Sequence, residues 1–202
     1  LFGNPHEIIV DNRSDCFQLI DSGTRKRLPF LAKERKVTHN LSLDNKAWTE
    51  VFTPASYGIP VRSAFSKVAG TGNSKAIWTV DIKEAGKYEV FFYHQAASVT
   101  YPPVSSVFTG SLLHYKVCSG DGMEKDVIVE ADIIPEGWVS LGKYDIPTGK
   151  AQVILDDRGG EIGADAEDLN SGVQILVAPG DKSVIKRQLI VADAVKWVRV
   201  KE

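Results

Sequence analysis

The chain has 202 residues and a mass of 22.1 kDa, with 43% hydrophobic and 25% charged residues. That is enough for one large β domain or two small ones with a core of their own, which excludes intrinsic disorder. Nothing in it approaches the long uncharged apolar run of a membrane-spanning helix. A net charge of −2 and a pI near 6.1 leave no global field to hold nucleic acid.

In chain order, the first stretch with a distinct composition is 24–46, where Arg25, Lys26, Arg27, Lys33, Arg35 and Lys36 form a locally basic segment. Glu34, Asp21 and Asp44 dilute its charge, so it reads as a solvated excursion with a helical turn around 31–36, not as a polyanion site. Residues 75–82 then alternate, with Ala76, Trp78, Val80 and Ile82 on one face, and 87–94 put Tyr88, Val90 and Phe92 opposite Glu89, Phe91 and Tyr93. With Glu84-Ala85-Gly86 between them, these two runs predict a hairpin. Further strands are expected at 112–118, 126–130, 138–144, 151–156, 172–178 and 188–200, separated by turns such as Ser119-Gly120-Asp121-Gly122 and Pro147-Thr148-Gly149. Residues 156–171, rich in acid and glycine, read as a long solvated loop. The pattern predicts an all-β fold: one antiparallel, jelly-roll-like β-sandwich over 1–202, with 24–46 and 156–187 as inserted loops.

Motifs for most reaction classes are missing. His6, His39, His94 and His114 are scattered without metal spacing, and there is no nucleophile elbow, phosphate-binding loop, dinucleotide fingerprint or CxxC pair. The acidic group Asp156, Asp157, Glu161, Asp165, Glu167 and Asp168 lacks the spacing of a calcium loop, so no cofactor is expected and a structural calcium is the weaker alternative. Cys16 and Cys118 are the two cysteines; lying far apart in sequence, they are expected as separate buried thiols.

Aromatic residues carry more information, because the apolar face of a sugar ring stacks on exposed Trp or Tyr. Trp48 and Tyr57 lie in irregular sequence and Tyr101 stands beside Pro102-Pro103, while Phe91 and Tyr93 occupy the strand face opposite Tyr88 and Phe92. These five are the candidate ligand-binding residues, with Trp48, Tyr57 and Tyr101 foremost because loop side chains reach solvent. Trp138, Leu141 and Tyr144 are expected in the core. Asp193 shares a strand face with Val191, Val195 and Trp197, which predicts a buried and fully partnered carboxylate.

Several phrases stand in order along the chain: Ile9-Val10-Asp11-Asn12 with Phe17, Tyr57-Gly58, Ala76-Ile77-Trp78, Gly86-Lys87-Tyr88-Glu89-Val90, Trp138 to Tyr144 with Gly149, Val153 and Leu155, and Val191 to Trp197. Together they resemble the golvesin C-terminal-like domain that also accompanies xanthan lyases. The resemblance implies a non-catalytic, carbohydrate-binding accessory module of a secreted, periplasmic or cell-surface polysaccharide-processing protein. Its partners would be a glycan and other domains of a larger chain, with no nucleic acid and no membrane span. It brings no catalytic residues, and by analogy with sugar-binding jelly rolls it gives Asp193 and Asp11, or Glu7, a structural part. The rival readings are a fragment of a polysaccharide lyase and a structural spacer or adhesion domain.

Overall fold

The computed structural model describes residues 6–21, 37–39, 41–42, 45–95, 98–101, 104–108, 112–131, 133–159 and 188–200, with the backbone alone over 98–101 and 104–108. Among the described residues there are fifteen β-strands and no helix. All of 24–36, all of 160–187 and the expected strand 172–178 lie outside this set, as do Glu161, Asp165, Glu167 and Asp168.

In chain order the strands are β1 (Glu7–Val10), β2 (Phe17–Ile20), β3 (Val37–Thr38), β4 (Thr49–Phe52), β5 (Ser63–Val68), β6 (Lys75–Ile82), β7 (Gly86–His94), β8 (Ser98–Tyr101) and β9 (Val104–Phe108). They are followed by β10 (Leu112–Ser119), β11 (Glu124–Glu130), β12 (Gly137–Ile146), β13 (Gly149–Asp156), β14 (Leu189–Ala192) and β15 (Val195–Arg199). One sheet runs β1-β15-β7-β12 and the facing one β11-β10-β13-β6-β2; a third, β14-β5-β4-β3, adjoins them, and β8 and β9 pair separately. All pairings between strands are antiparallel except the short β3–β4 contact.

The two large sheets form a sandwich because their alternating strands each own one apolar face. Ala76, Trp78, Val80 and Ile82 of β6, with Tyr115 and Val117 of β10 and Val153 and Leu155 of β13, meet Tyr88, Val90 and Phe92 of β7, Leu141 and Ile146 of β12, and Val195 and Trp197 of β15. Trp78, Trp197, Phe65 and Phe92 are the largest fully buried side chains, each worth roughly 2–3 kcal/mol in removed apolar surface.

The expected 75–94 hairpin is a correction. β6 pairs with β13 and β2, whereas β7 pairs with β12 and β15. Glu84-Ala85 therefore carries the chain from one sheet to the other, so the two apolar faces look at each other across the core instead of lying side by side. Residues 147–148 do the same between β12 and β13.

The acidic stretch also begins differently from its solvated reading. Asp157 is buried: its Oδ1 accepts the Gly72 (2.7 Å) and Ser74 (3.2 Å) N–H groups, and its Oδ2 is ion-paired with Lys67 of β5, itself buried. Gly70 N–H donates to the Asp157 carbonyl at 2.6 Å. Lys67 and the two N–H donors outweigh the burial that would favour the neutral acid, and hold the carboxyl below its ordinary value. Asp156 pairs instead with the exposed Arg158. Cys16 and Cys118 are separate thiols as expected, yet Cys16 is exposed and Cys118 only half-buried, which corrects the expectation of burial.

An aromatic sheet face over a buried carboxylate

The solvent side of the β1-β15-β7-β12 sheet is the candidate site. Antiparallel register sets three rows across it. Ile9, Lys196, Phe91 and Ser140 form the central row, with Tyr93 and Trp138 above and Glu7, Val198 and Glu89 below. Strand alternation sends Phe91 and Tyr93 outward because Val90 and Phe92 are committed to the core. Tyr57, from the loop between β4 and β5, closes the upper row. Its ring centroid lies 5.4 Å from Tyr93 and 5.1 Å from Trp138, and Tyr93 and Trp138 stand 5.2 Å apart. The three rings cross at 57°, 63° and 82°, so each meets its neighbours edge-on or tilted. Lys196 Nζ lies 4.5 Å from the Trp138 ring and 5.1 Å from Phe91, and pairs with Glu7 Oε1 at 3.0 Å.

The loop that delivers Tyr57 is tied down from below. Tyr57 N–H donates to Asp193 Oδ2 at 3.0 Å, and Gln95 Nε2 donates to the same oxygen at 3.5 Å. Gln95 Oε1 in turn accepts the Thr53 and Ser56 hydroxyls of that loop. The next residue, Gly58, has φ +118°, and a Cβ there would stand 2.3 Å from the Val61 carbonyl oxygen, so glycine is required for the loop to close.

Asp193 is 2% exposed and sits between β14 and β15, where its carbonyl accepts the Trp78 indole N–H at 3.0 Å. The burial expected for it is found. Full partnering is not: Oδ1 has no hydrogen-bond partner among the described residues. Burial pushes its pKa up to about 8, the Tyr57 N–H opposes this, and Asp11 adds to it. Asp11 is itself raised by burial, against the N–H bonds of Arg13 and Asn12. Among the described residues no three His, Cys, Asp or Glu side chains are grouped to hold a metal.

Of the sequence candidates, Tyr57, Phe91 and Tyr93 are brought together here. Trp48 is not: it is 5% exposed, its backbone N–H donates to Asp21 Oδ1 at 3.1 Å, and Lys67 Nζ lies 5.9 Å from its ring. Irregular backbone does not keep a side chain at the surface when that backbone runs against a third sheet, and the expectation of an exposed Trp48 is corrected on that ground. Tyr101 ends β8, and its side chain lies outside the described set. Trp138 and Lys196 were missed. Trp138, expected in the core, is only half-buried and stands opposite Tyr93. The signal was available: Trp138 and Leu141 are an odd number of residues apart, so strict alternation already separates their faces. The irregularity between Ser140 and Gly142 then brings Tyr144 and Ile146 to the same core side as Leu141.

The golvesin C-terminal domain model matches residues 36–171, about two thirds of the chain. The chain belongs to the golvesin C-terminal domain family. Among solved structures, this golvesin C-terminal domain is similar to a Paenibacillus xanthan lyase, with a TM-score of 0.56 and 17% identity over 97% of this chain and 13% of that one. The domain thus spans a small part of that protein. It is more distantly similar to CBM35 from Cellvibrio japonicus Abf62 (TM-score 0.41, 10% identity, 96% of this chain and 94% of that one). The module TmCBM61, solved with β-1,4-galactotriose, matches at a TM-score of 0.40 and 18% identity over 78% of this chain and 86% of that one. No curated protein matches the sequence.

Proposed function

We propose that this golvesin C-terminal domain is a non-catalytic accessory module that binds carbohydrate on the outer face of the β1-β15-β7-β12 sheet, within a polysaccharide-processing protein acting outside the cell. The observation that carries the reading is the convergence of Tyr57, Tyr93 and Trp138, from a loop and two strands, on the solvent side of a sheet whose other side already supplies the core. A half-solvated antiparallel sheet ordinarily presents polar side chains outward, so a cluster of rings there has no core to serve. Sugar rings are the chemistry such a surface suits, each stack adding on the order of 1 kcal/mol. Because the rings are steeply inclined to one another, they offer no common plane to a flat crystalline polymer and suit a single soluble chain. The family membership and the likeness to part of a xanthan lyase support a place beside polysaccharide chemistry.

Affinity electrophoresis in gels cast with soluble polysaccharides tests the proposal, with Tyr93→Ala and Trp138→Ala beside the wild type and a thermal melt of each. Retardation that is lost in both variants at an unchanged melting temperature supports it. Retardation unaffected by either substitution overturns it.

A further inference from the structure

We infer that this aromatic face selects neutral over anionic glycans, an inference that rests on the glycan-binding reading above. Lys196, in the middle of the face and within reach of two rings, is the cation that a uronate carboxylate would seek. Glu7 already holds it at 3.0 Å. Lys143 has Glu89 at 3.8 Å, and Arg13, beside Asp11, has Glu50 at 2.9 Å. Arg62, in the loop that carries Tyr57, donates to the Pro54 carbonyl at 2.8 Å. Lys196 and Lys143 on the face are thus each met by a glutamate, Glu7 and Glu89, and Asp11 adds a further carboxylate near Tyr57.

The Tyr57 hydroxyl senses the same balance. Its proton is held more tightly than usual, first by burial and then by the surrounding Asp11, Glu7 and Asp193. An arriving uronate would have to displace Glu7 from Lys196 and then sit beside it, and like charges brought together at an interface oppose binding and reject the wrong partner. A neutral sugar meets no such cost. Its C–H face stacks on the rings, while its hydroxyls donate to Glu7 or Glu89, and hydrogen bonds to an ionised acceptor are the stronger kind.

The test compares neutral galactomannan and laminarin with the anionic polymers xanthan, alginate and polygalacturonate, by affinity electrophoresis and titration calorimetry at low and at physiological salt. The wild type is expected to hold a neutral probe at least roughly tenfold more tightly than any anionic one, with little response to salt. Glu7→Gln, which releases Lys196, is expected to shift the anionic-to-neutral affinity ratio upward by roughly two- to fivefold, the size of a released surface ion pair. Equal or tighter binding of an anionic probe, weakened by salt and abolished by Tyr93→Ala, overturns the selectivity while leaving the aromatic site standing. No binding of any of the five polymers overturns both.

Discussion

Asp193 concentrates the chemistry of the domain in one side chain. In the unfolded chain its carboxyl titrates near 3.8, and in the folded domain at about 8. Between those values the native state keeps a proton that the unfolded state releases, so this group's contribution to stability is full below the lower value and is lost as pH rises to the upper one. The slope approaches about 1.4 kcal/mol per pH unit. Asn in its place imitates the protonated acid and still accepts the Tyr57 N–H. Denaturant midpoints between pH 5 and pH 8 should therefore fall in the wild type and stay nearly level in Asp193→Asn, the accumulated difference being on the order of 2–4 kcal/mol. Parallel pH profiles for the two proteins would remove Asp193 from this role. Asp157 runs the other way. Its carboxyl is held below the ordinary value by Lys67, so its stabilisation is lost on acidification. Replacing Lys67 by Met strands a buried carboxylate and should cost about 3–5 kcal/mol at neutral pH, read from the same denaturation curves.

Among the elements, legibility followed alternation. β6, β7, β10 and β13 show burial that alternates almost without fault, and each was readable because one face owns the core. β5 was not. Its residues Ser63–Lys67 are all buried, so it presents no period and carries Ser and Lys where a core strand would carry Val. Its place between β14 and β4, and its ion pair with Asp157, depend on contacts remote in sequence. The partner of each strand was equally hidden, since a turn such as Glu84-Ala85-Gly86 serves a hairpin or a crossing between sheets, and the choice is made by packing. The site was half visible: Phe91 and Tyr93 follow from the alternation of β7, whereas Trp138 required respecting parity in β12, and the burial of Trp48 required knowing the third sheet. The loop of Tyr57 yields a prediction at this scale. Gly58→Ala forces a Cβ onto the Val61 carbonyl at a backbone angle that disfavours any side chain. Glycan retardation should fall with a melting temperature lowered by only a few degrees, corresponding to about 1–2 kcal/mol; undiminished retardation would show that the loop does not position the ring.

At the scale of the molecule, one side of a sheet makes the fold and the other carries the proposed recognition surface. Core residues of β7 and β15 alternate with Phe91, Tyr93 and Lys196, so the strands that hold the sandwich together also fix the spacing of the outer rings. Rigid strands position side chains more sharply than loops do, and only Tyr57 of the cluster comes from a loop, itself pinned by Asp193 and Gln95. The tryptophans report on this division directly. Trp48, Trp78 and Trp197 are at most 5% exposed, whereas Trp138 is half-buried on the outer face. Acrylamide quenching of the intrinsic fluorescence, with and without a saturating soluble polysaccharide, is therefore the most direct measurement. The account predicts a quenchable component that the glycan protects and that disappears in Trp138→Phe. Unchanged quenching in a sample shown by calorimetry to be saturated would place the sugar elsewhere and contradict it.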